Sequence, residues 1–113
     1  MIIIAFSENT SKILPHILCR KYRHCAPIVC NEHGLTMYQF INRRNIVKIK
    51  LSQRDITILR AHGWKFIYIS PNMKINLDCV RAYSCVDLSK RALNIHSIFI
   101  QTPYALYKYL THQ

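Results

Sequence analysis

The chain has 113 residues, a length that suits one domain, and half of its residues are hydrophobic. Sixteen Lys and Arg against five Asp and Glu give a formal net charge of +11, which favours polyanionic partners. This composition excludes an intrinsically disordered chain, and no apolar run reaches the ~20 residues that a membrane-spanning helix needs.

The first elements are predicted from an apolar run and from helix-start chemistry. Residues 1–6 predict a buried strand. Since this opening has no basic leader, we expect no signal peptide and a cytoplasmic location. Residues 15–22 suit about two helical turns, with Pro15 at the first helical position.

A β-hairpin is predicted over residues 22–42. Gly34 supplies the turn, and alternation places His24 on one apolar face of the first strand and Cys25 on the other. Pro27 lacks a backbone donor, so this strand is expected at a sheet edge or interrupted.

The second half of the chain predicts two further strands, at residues 46–51 and 64–69, and three helices. Each helix start combines an N-cap residue with either an acid three positions later or a proline at the next position. These pairs are Ser52 with Asp55, Ser84 with Asp87, and Thr102 with Pro103. The prediction is one α+β domain over residues 1–113, with a small antiparallel sheet packed with short helices.

Cys85 stands where a thiol can become reactive. With Ser84 as N-cap, Cys85 is the first helical residue, where unpaired N–H groups and the helix dipole lower a thiol pKa. The helical wheel places Cys85 on the apolar stripe and predicts that Lys90 and Arg91 face solvent. The alternative interpretation is a small apolar residue packed against a core.

A nucleophilic cysteine needs a base, and His24 is the candidate. An imidazole on an otherwise apolar strand face points toward the interior or a cleft, and a helix packed on the sheet would bring its first turn close to it. The alternative is that both residues belong to the core. Spacing does not decide between the two, because a catalytic cysteine and histidine meet in space and not in sequence.

The order of these segments resembles a known family. RKYRHCAPIV, followed by CVDLSKRALNI and TPYALYKYL, is similar to the circularly permuted papain-like cysteine peptidases, relatives of the NlpC-type cell-wall peptidases that include small phage-encoded versions. The matching helix positions are Cys85, Val86, Lys90, Arg91, Leu93 and Ile95, with Thr102, Pro103 and Tyr104 at the next helix start. The resemblance implies a permuted papain-like (NlpC-type) architecture and hydrolysis of an amide bond, with a peptide or peptidoglycan as substrate.

The resemblance also implies residue roles. Cys85 would be the nucleophile, with its backbone N–H in the oxyanion hole, and His24 the general base that later protonates the leaving group. A third polar residue on the adjacent strand would orient His24. This is Asn42 if that residue lies directly across from His24, or Gln39 if the register shifts by one. Cys79 is the rival nucleophile.

Basic residues flank the predicted hairpin at the end that carries His24. Because the open ends of hairpin strands meet, these residues are expected to form one basic patch. The patch comprises Arg20, Lys21, Arg23, Arg43, Arg44, Lys48 and Lys50. A solvated face would explain it, and so would contact with nucleic acid or an anionic cell-wall polymer.

Two functions other than catalysis are compatible with the sequence. The chain could be a basic protein that binds nucleic acid or a host protein, or a virion-associated phage structural protein that keeps the fold. No cofactor is expected, and no metal either, since His16, His96 and His112 have no neighbours at metal-ligand spacing.

Overall fold

The computed structural model of the chain describes residues 1–7, 24–42, 45–70 and 82–112. The predicted helix at residues 15–22 and the rival nucleophile Cys79 lie outside these ranges.

The described residues form an α+β structure with one antiparallel sheet. Its elements are β1 (Ile2–Ser7), β2 (His24–Asn31), β3 (Gly34–Asn42), β4 (Asn45–Leu51), α1 (Gln53–Ala61), β5 (Lys65–Ile69), α2 (Cys85–Ala92) and α3 (Pro103–Thr111). The strand order is β4-β3-β2-β1-β5, with antiparallel neighbours throughout. None of the helices in the described ranges has the length and hydropathy needed to cross a membrane.

Helices cover both faces of the sheet, which explains why β1 is buried along its whole length and apolar from Ile2 to Phe6. Ile4 and Phe6 are fully buried in a cluster that includes Leu88 of α2 and Leu106 of α3. The alternate residues of β1 pack on the other face, in a cluster that includes Ile56 of α1. A strand buried on both faces reads as a continuous apolar run rather than as an alternating pattern.

The position of β2 differs from the sequence prediction. Pro27 was expected to place this strand at a sheet edge or to interrupt it. Strand β2 lies in the centre of the sheet and not at an edge, and Pro27 pairs with Ile4 of β1. The pairing register with β3 runs from Ile28 to Asn31, so Pro27 adjoins its end. A missing backbone donor is tolerated more easily beside the end of a ladder than in its middle.

The start of α2 follows the predicted N-cap but only half of the predicted capping box. Ser84 is the N-cap, and its hydroxyl accepts a hydrogen bond from the Asp87 backbone N–H at 3.0 Å. The Asp87 carboxylate accepts from the Tyr83 backbone N–H at 2.9 Å and from Arg91 Nε at 3.2 Å. Cys85 is therefore the first residue of a well-capped helix, as predicted.

Lys90 does not face solvent as the helical wheel predicted. It is buried, with 8% of its surface exposed, and its ammonium donates to the carbonyl oxygens of Ser97 at 2.6 Å and Ile100 at 3.0 Å. The loop after α2 folds back over the helix and supplies these acceptors. A buried ammonium is stable only when such acceptors replace water, so Lys90 fixes the loop that leads into α3.

Candidate active site

Cys85 lies where the start of α2 meets the end of the sheet. The preceding residue, Ser84, is extended with φ −163° and ψ 172°, and the helix begins at the cysteine itself. The Cys85 side chain is partly exposed and packs against the core cluster between the sheet, α2 and α3. Cys85 thus lies at the margin of the core, with apolar side chains packed against it.

His24 reaches Cys85 from the first position of β2. It pairs with Ser7 of β1 at the end of the sheet and forms a side-chain hydrogen bond with Cys85. Helix α2 packs on the face of β2 that carries Cys25. Ala26 and Ile28, which share a face of the strand with His24, lie in the cluster beneath α1. Histidine and cysteine meet because each is the first residue of its element.

Gln39 of β3 holds the other side of the His24 ring. His24 Nε2 lies 2.8 Å from Gln39 Oε1, while Gln39 Nε2 donates to Met37 Sδ at 3.1 Å. The contact with Met37 directs the amide nitrogen away from the histidine, so the amide oxygen is the atom that accepts from the imidazole. With Nε2 occupied in this way, Nδ1 is the nitrogen that remains for Cys85.

The strand register explains why the orienting residue is Gln39. The paired residues Ile28 with Met37 and Asn31 with Gly34 set a register that, continued along the strands, places Ile41 across from His24. Gln39 is then a diagonal neighbour of His24 on the same face, within reach of a long side chain. The register in which Asn42 lies across from His24 does not occur. Asn42 ends β3 and pairs with Asn45 of β4.

Trp64 forms an apolar wall beside the imidazole. Its ring lies edge-on to His24, with centroids 6.1 Å apart and planes at 90°. Trp64 also packs against the cluster beneath α1, so its position is fixed by the core. This large aromatic group covers one side of the imidazole ring.

The pKa values of Cys85 and His24 are shifted in opposite directions. The Cys25 thiol donates a hydrogen bond to Cys85 and is the largest cause that lowers the pKa of Cys85 to about 4; burial opposes it, and the hydrogen bond and charge of His24 add to it. The pKa of His24 is raised above its ordinary 6.5, first by its hydrogen bond with Cys85, against the effect of burial. Between these two pKa values the site holds a thiolate and an imidazolium.

This arrangement contains the parts required for nucleophilic catalysis. Cys85 supplies an ionised sulfur, His24 a proton donor in contact with it, and Gln39 the group that fixes the ring. The backbone N–H of a first helical residue has no intrahelical acceptor, which leaves it available to a developing oxyanion.

Most of the predicted basic patch lies outside the described residues. Arg20, Lys21, Arg23, Arg43 and Arg44 belong to the segments that the structure does not describe. Lys48 and Lys50 are exposed on β4, the edge strand next to β3, and are paired with Tyr38 and Thr36 respectively.

Three neighbours of the site were not identified from the sequence. Cys25 and Ser89 lie beneath Cys85, and Trp64 lies beside His24. The alternation of β2 already separated Cys25 from His24, and Ser89 is four residues after Cys85 on the same helix face. These signals would have indicated Cys25 and Ser89 once α2 was placed on β2. The position of Trp64 depends on β5 lying beyond β1, for which the sequence holds no local signal.

The fold and the site thus define an α+β domain with a paired cysteine and histidine at one end of its sheet. The chain matches no protein-family model, no curated protein and no solved structure.

Proposed function

We propose that the protein is a cysteine hydrolase that cleaves an amide bond through Cys85 and His24. The observation that carries the proposal is the hydrogen-bonded Cys85–His24 pair, in which the pKa of the thiol falls to about 4 while that of the imidazole rises. A cysteine that is only a core residue has no need of a protonated histidine, and ionisation inside a core is costly. A catalytic role therefore explains the Cys85–His24 pair better than a packing role does.

The reaction follows from the ionised pair. The Cys85 thiolate attacks the carbonyl carbon, a C–S bond forms, and the backbone N–H at the helix start stabilises the oxyanion. His24 donates its proton to the leaving nitrogen as the C–N bond breaks. Water then attacks the thioester while His24 takes up a proton, which releases the acid and restores the thiolate.

For the substrate, we propose a peptide of the bacterial cell wall and a permuted papain-like, NlpC-type architecture. Support comes from the resemblance of the Cys85 and His24 segments and from the order in which strand histidine and helix cysteine occur. The exposed Lys48 and Lys50 on the edge strand and the net charge of +11 favour an anionic polymer such as peptidoglycan.

The test is hydrolysis of purified peptidoglycan and synthetic wall peptides, with new amino groups as the readout. We expect turnover in the wild type, loss with Cys85→Ala and His24→Ala, and retention with the matched controls Cys30→Ala and His33→Ala. The profile of kcat/KM against pH should be bell-shaped, with an acid limb near the pKa of Cys85, about 4, and an alkaline limb above 6.5 from His24. Turnover that survives Cys85→Ala would refute the proposal.

A further inference from the structure

Cys25 is a fully buried thiol directly beneath the first turn of α2. It follows His24 on β2 but faces α2, in the same cluster as Cys85. Ser89, itself fully buried, lies four residues after Cys85, so the two side chains share one face of the helix. The Ser89 hydroxyl donates to Cys25 Sγ at 3.5 Å, which independently places the Cys25 sulfur under this face.

The direction of these hydrogen bonds determines what Cys25 offers to Cys85. A thiol has a single proton, and the Cys25 sulfur already accepts from Ser89. The Cys25 thiol and the Cys25 backbone N–H both act as hydrogen-bond donors toward Cys85, and both lower the pKa of that thiol. Two donors from one residue thus meet the Cys85 sulfur on the side away from solvent.

We propose that Cys25 is a positioning residue, which holds the sulfur of Cys85 by its thiol and its backbone N–H and keeps that sulfur ionised for attack. The inference deepens the proposed function, since it concerns the same nucleophile. It assigns to a core cysteine a role separate from that of the histidine, because Cys25 approaches Cys85 from within the cluster between β2 and α2. Ser89 supports the role by its contact with the Cys25 sulfur, which holds Cys25 under the first turn of the helix.

A cysteine suits this position better than a stronger donor would. The site lies in an apolar cluster with Val86 and Leu88, where a hydroxyl carries a larger desolvation cost than a thiol. A thiol keeps the packing of a small apolar residue and still donates one weak hydrogen bond. The backbone N–H, which no substitution removes, supplies the second.

The test compares variants of Cys25 that keep or remove the side-chain donor. Iodoacetamide labelling of Cys85 is followed from pH 3 to pH 9 by peptide mass spectrometry, and the midpoint of the rate profile reports the pKa. Cys25→Ala and Cys25→Val should move the midpoint up by about one pH unit or more, whereas Cys25→Ser should leave it at the wild-type position. Alanine leaves a space at this position and valine fills it, so a shift common to both is due to the lost donor. If one of the two variants does not fold, the other is sufficient to measure the shift.

Two results would overturn the inference. One is a wild-type midpoint in Cys25→Ala or Cys25→Val. The other is an equal shift in Cys25→Ser, which would indicate disturbed packing. The outcome is separate from that of the proposed function, because labelling needs no substrate. A midpoint shift without any turnover would support the role of Cys25 and refute the proposed hydrolase activity. Turnover with an unchanged midpoint would support the hydrolase activity and refute the role of Cys25.

Discussion

Removal of the imidazole by His24→Ala tests the central contact of the site. His24 forms a hydrogen bond with Cys85 and adds an opposite charge beside it, and both lower the pKa of the thiol. Cys25 and the helix start remain in the variant. We therefore expect the pKa of Cys85 to rise but to stay below the ordinary value of about 8.5.

The magnitude follows from the loss of one neighbouring charge. A single opposite charge in contact shifts a pKa by about 1 to 3 units. With a wild-type pKa of about 4, the ionised fraction of Cys85 at pH 5 falls from about 90% to between about 50% and about 1%. A more basic thiolate is also a better nucleophile, so the rate at high pH rises as the ionised fraction at low pH falls. The midpoint of the profile is thus a better measure than a rate at one pH.

The assay is pH-dependent alkylation of Cys85, resolved by peptide, in wild type, His24→Ala and His33→Ala. His33 is an exposed histidine at the β2–β3 turn and serves as the matched control. The expected result is an upward shift for His24→Ala alone. If wild type and His24→Ala share one midpoint, the imidazole does not stabilise the thiolate, and the reasoning from the ion pair fails.

Three further changes test the supports of the site. Gln39→Leu removes the group that orients His24 and helps to raise its pKa, so we expect kcat to fall by about 10- to 100-fold, with the alkaline limb of the pH profile moving to lower pH. Ser84→Ala should cost about 1 kcal/mol in the free energy of unfolding measured with urea and reduce turnover, whereas Ser52→Ala, the equivalent change at α1, should cost a similar amount and leave turnover intact. Lys90→Met leaves the carbonyl groups of Ser97 and Ile100 without their donor and should destabilise the fold by about 2 to 4 kcal/mol. For the exposed Lys108→Met we expect less than about 0.5 kcal/mol.

Local chemistry was predictable from the sequence where it depends on a few neighbouring residues. Ser84 caps α2 and places Cys85 at the first helical position. Ser52 with Asp55 forms a complete capping box at α1, and Thr102 caps α3. Each of these contacts joins residues within one turn of helix, so the spacing of the two residues in the sequence is sufficient to predict it.

Contacts between elements were predictable only as alternatives. The choice between Asn42 and Gln39 depended on one residue of register, which the hairpin sequence left open and which the pairing of Ile28 with Met37 decides. Lys90 was predicted to face solvent because the helical wheel does not include the loop that returns to cover it. For Pro27 the sequence left an edge strand and an interrupted strand as alternatives, because the pattern does not reveal where the ladder with β3 ends.

The location of the site at the end of the sheet explains how distant parts of the chain cooperate. His24 is fixed by β1 on one side and by Gln39 of β3 on the other, so its ring is set by the sheet. Cys85 is fixed by the packing of α2 on β2, and Cys25 connects the two because it belongs to the strand but contacts the helix. A slip of α2 along β2 would separate Cys85 from His24 and from Cys25 together. The apolar contacts that hold α2 on the sheet therefore maintain the ionised state of Cys85 as well as the stability of the fold.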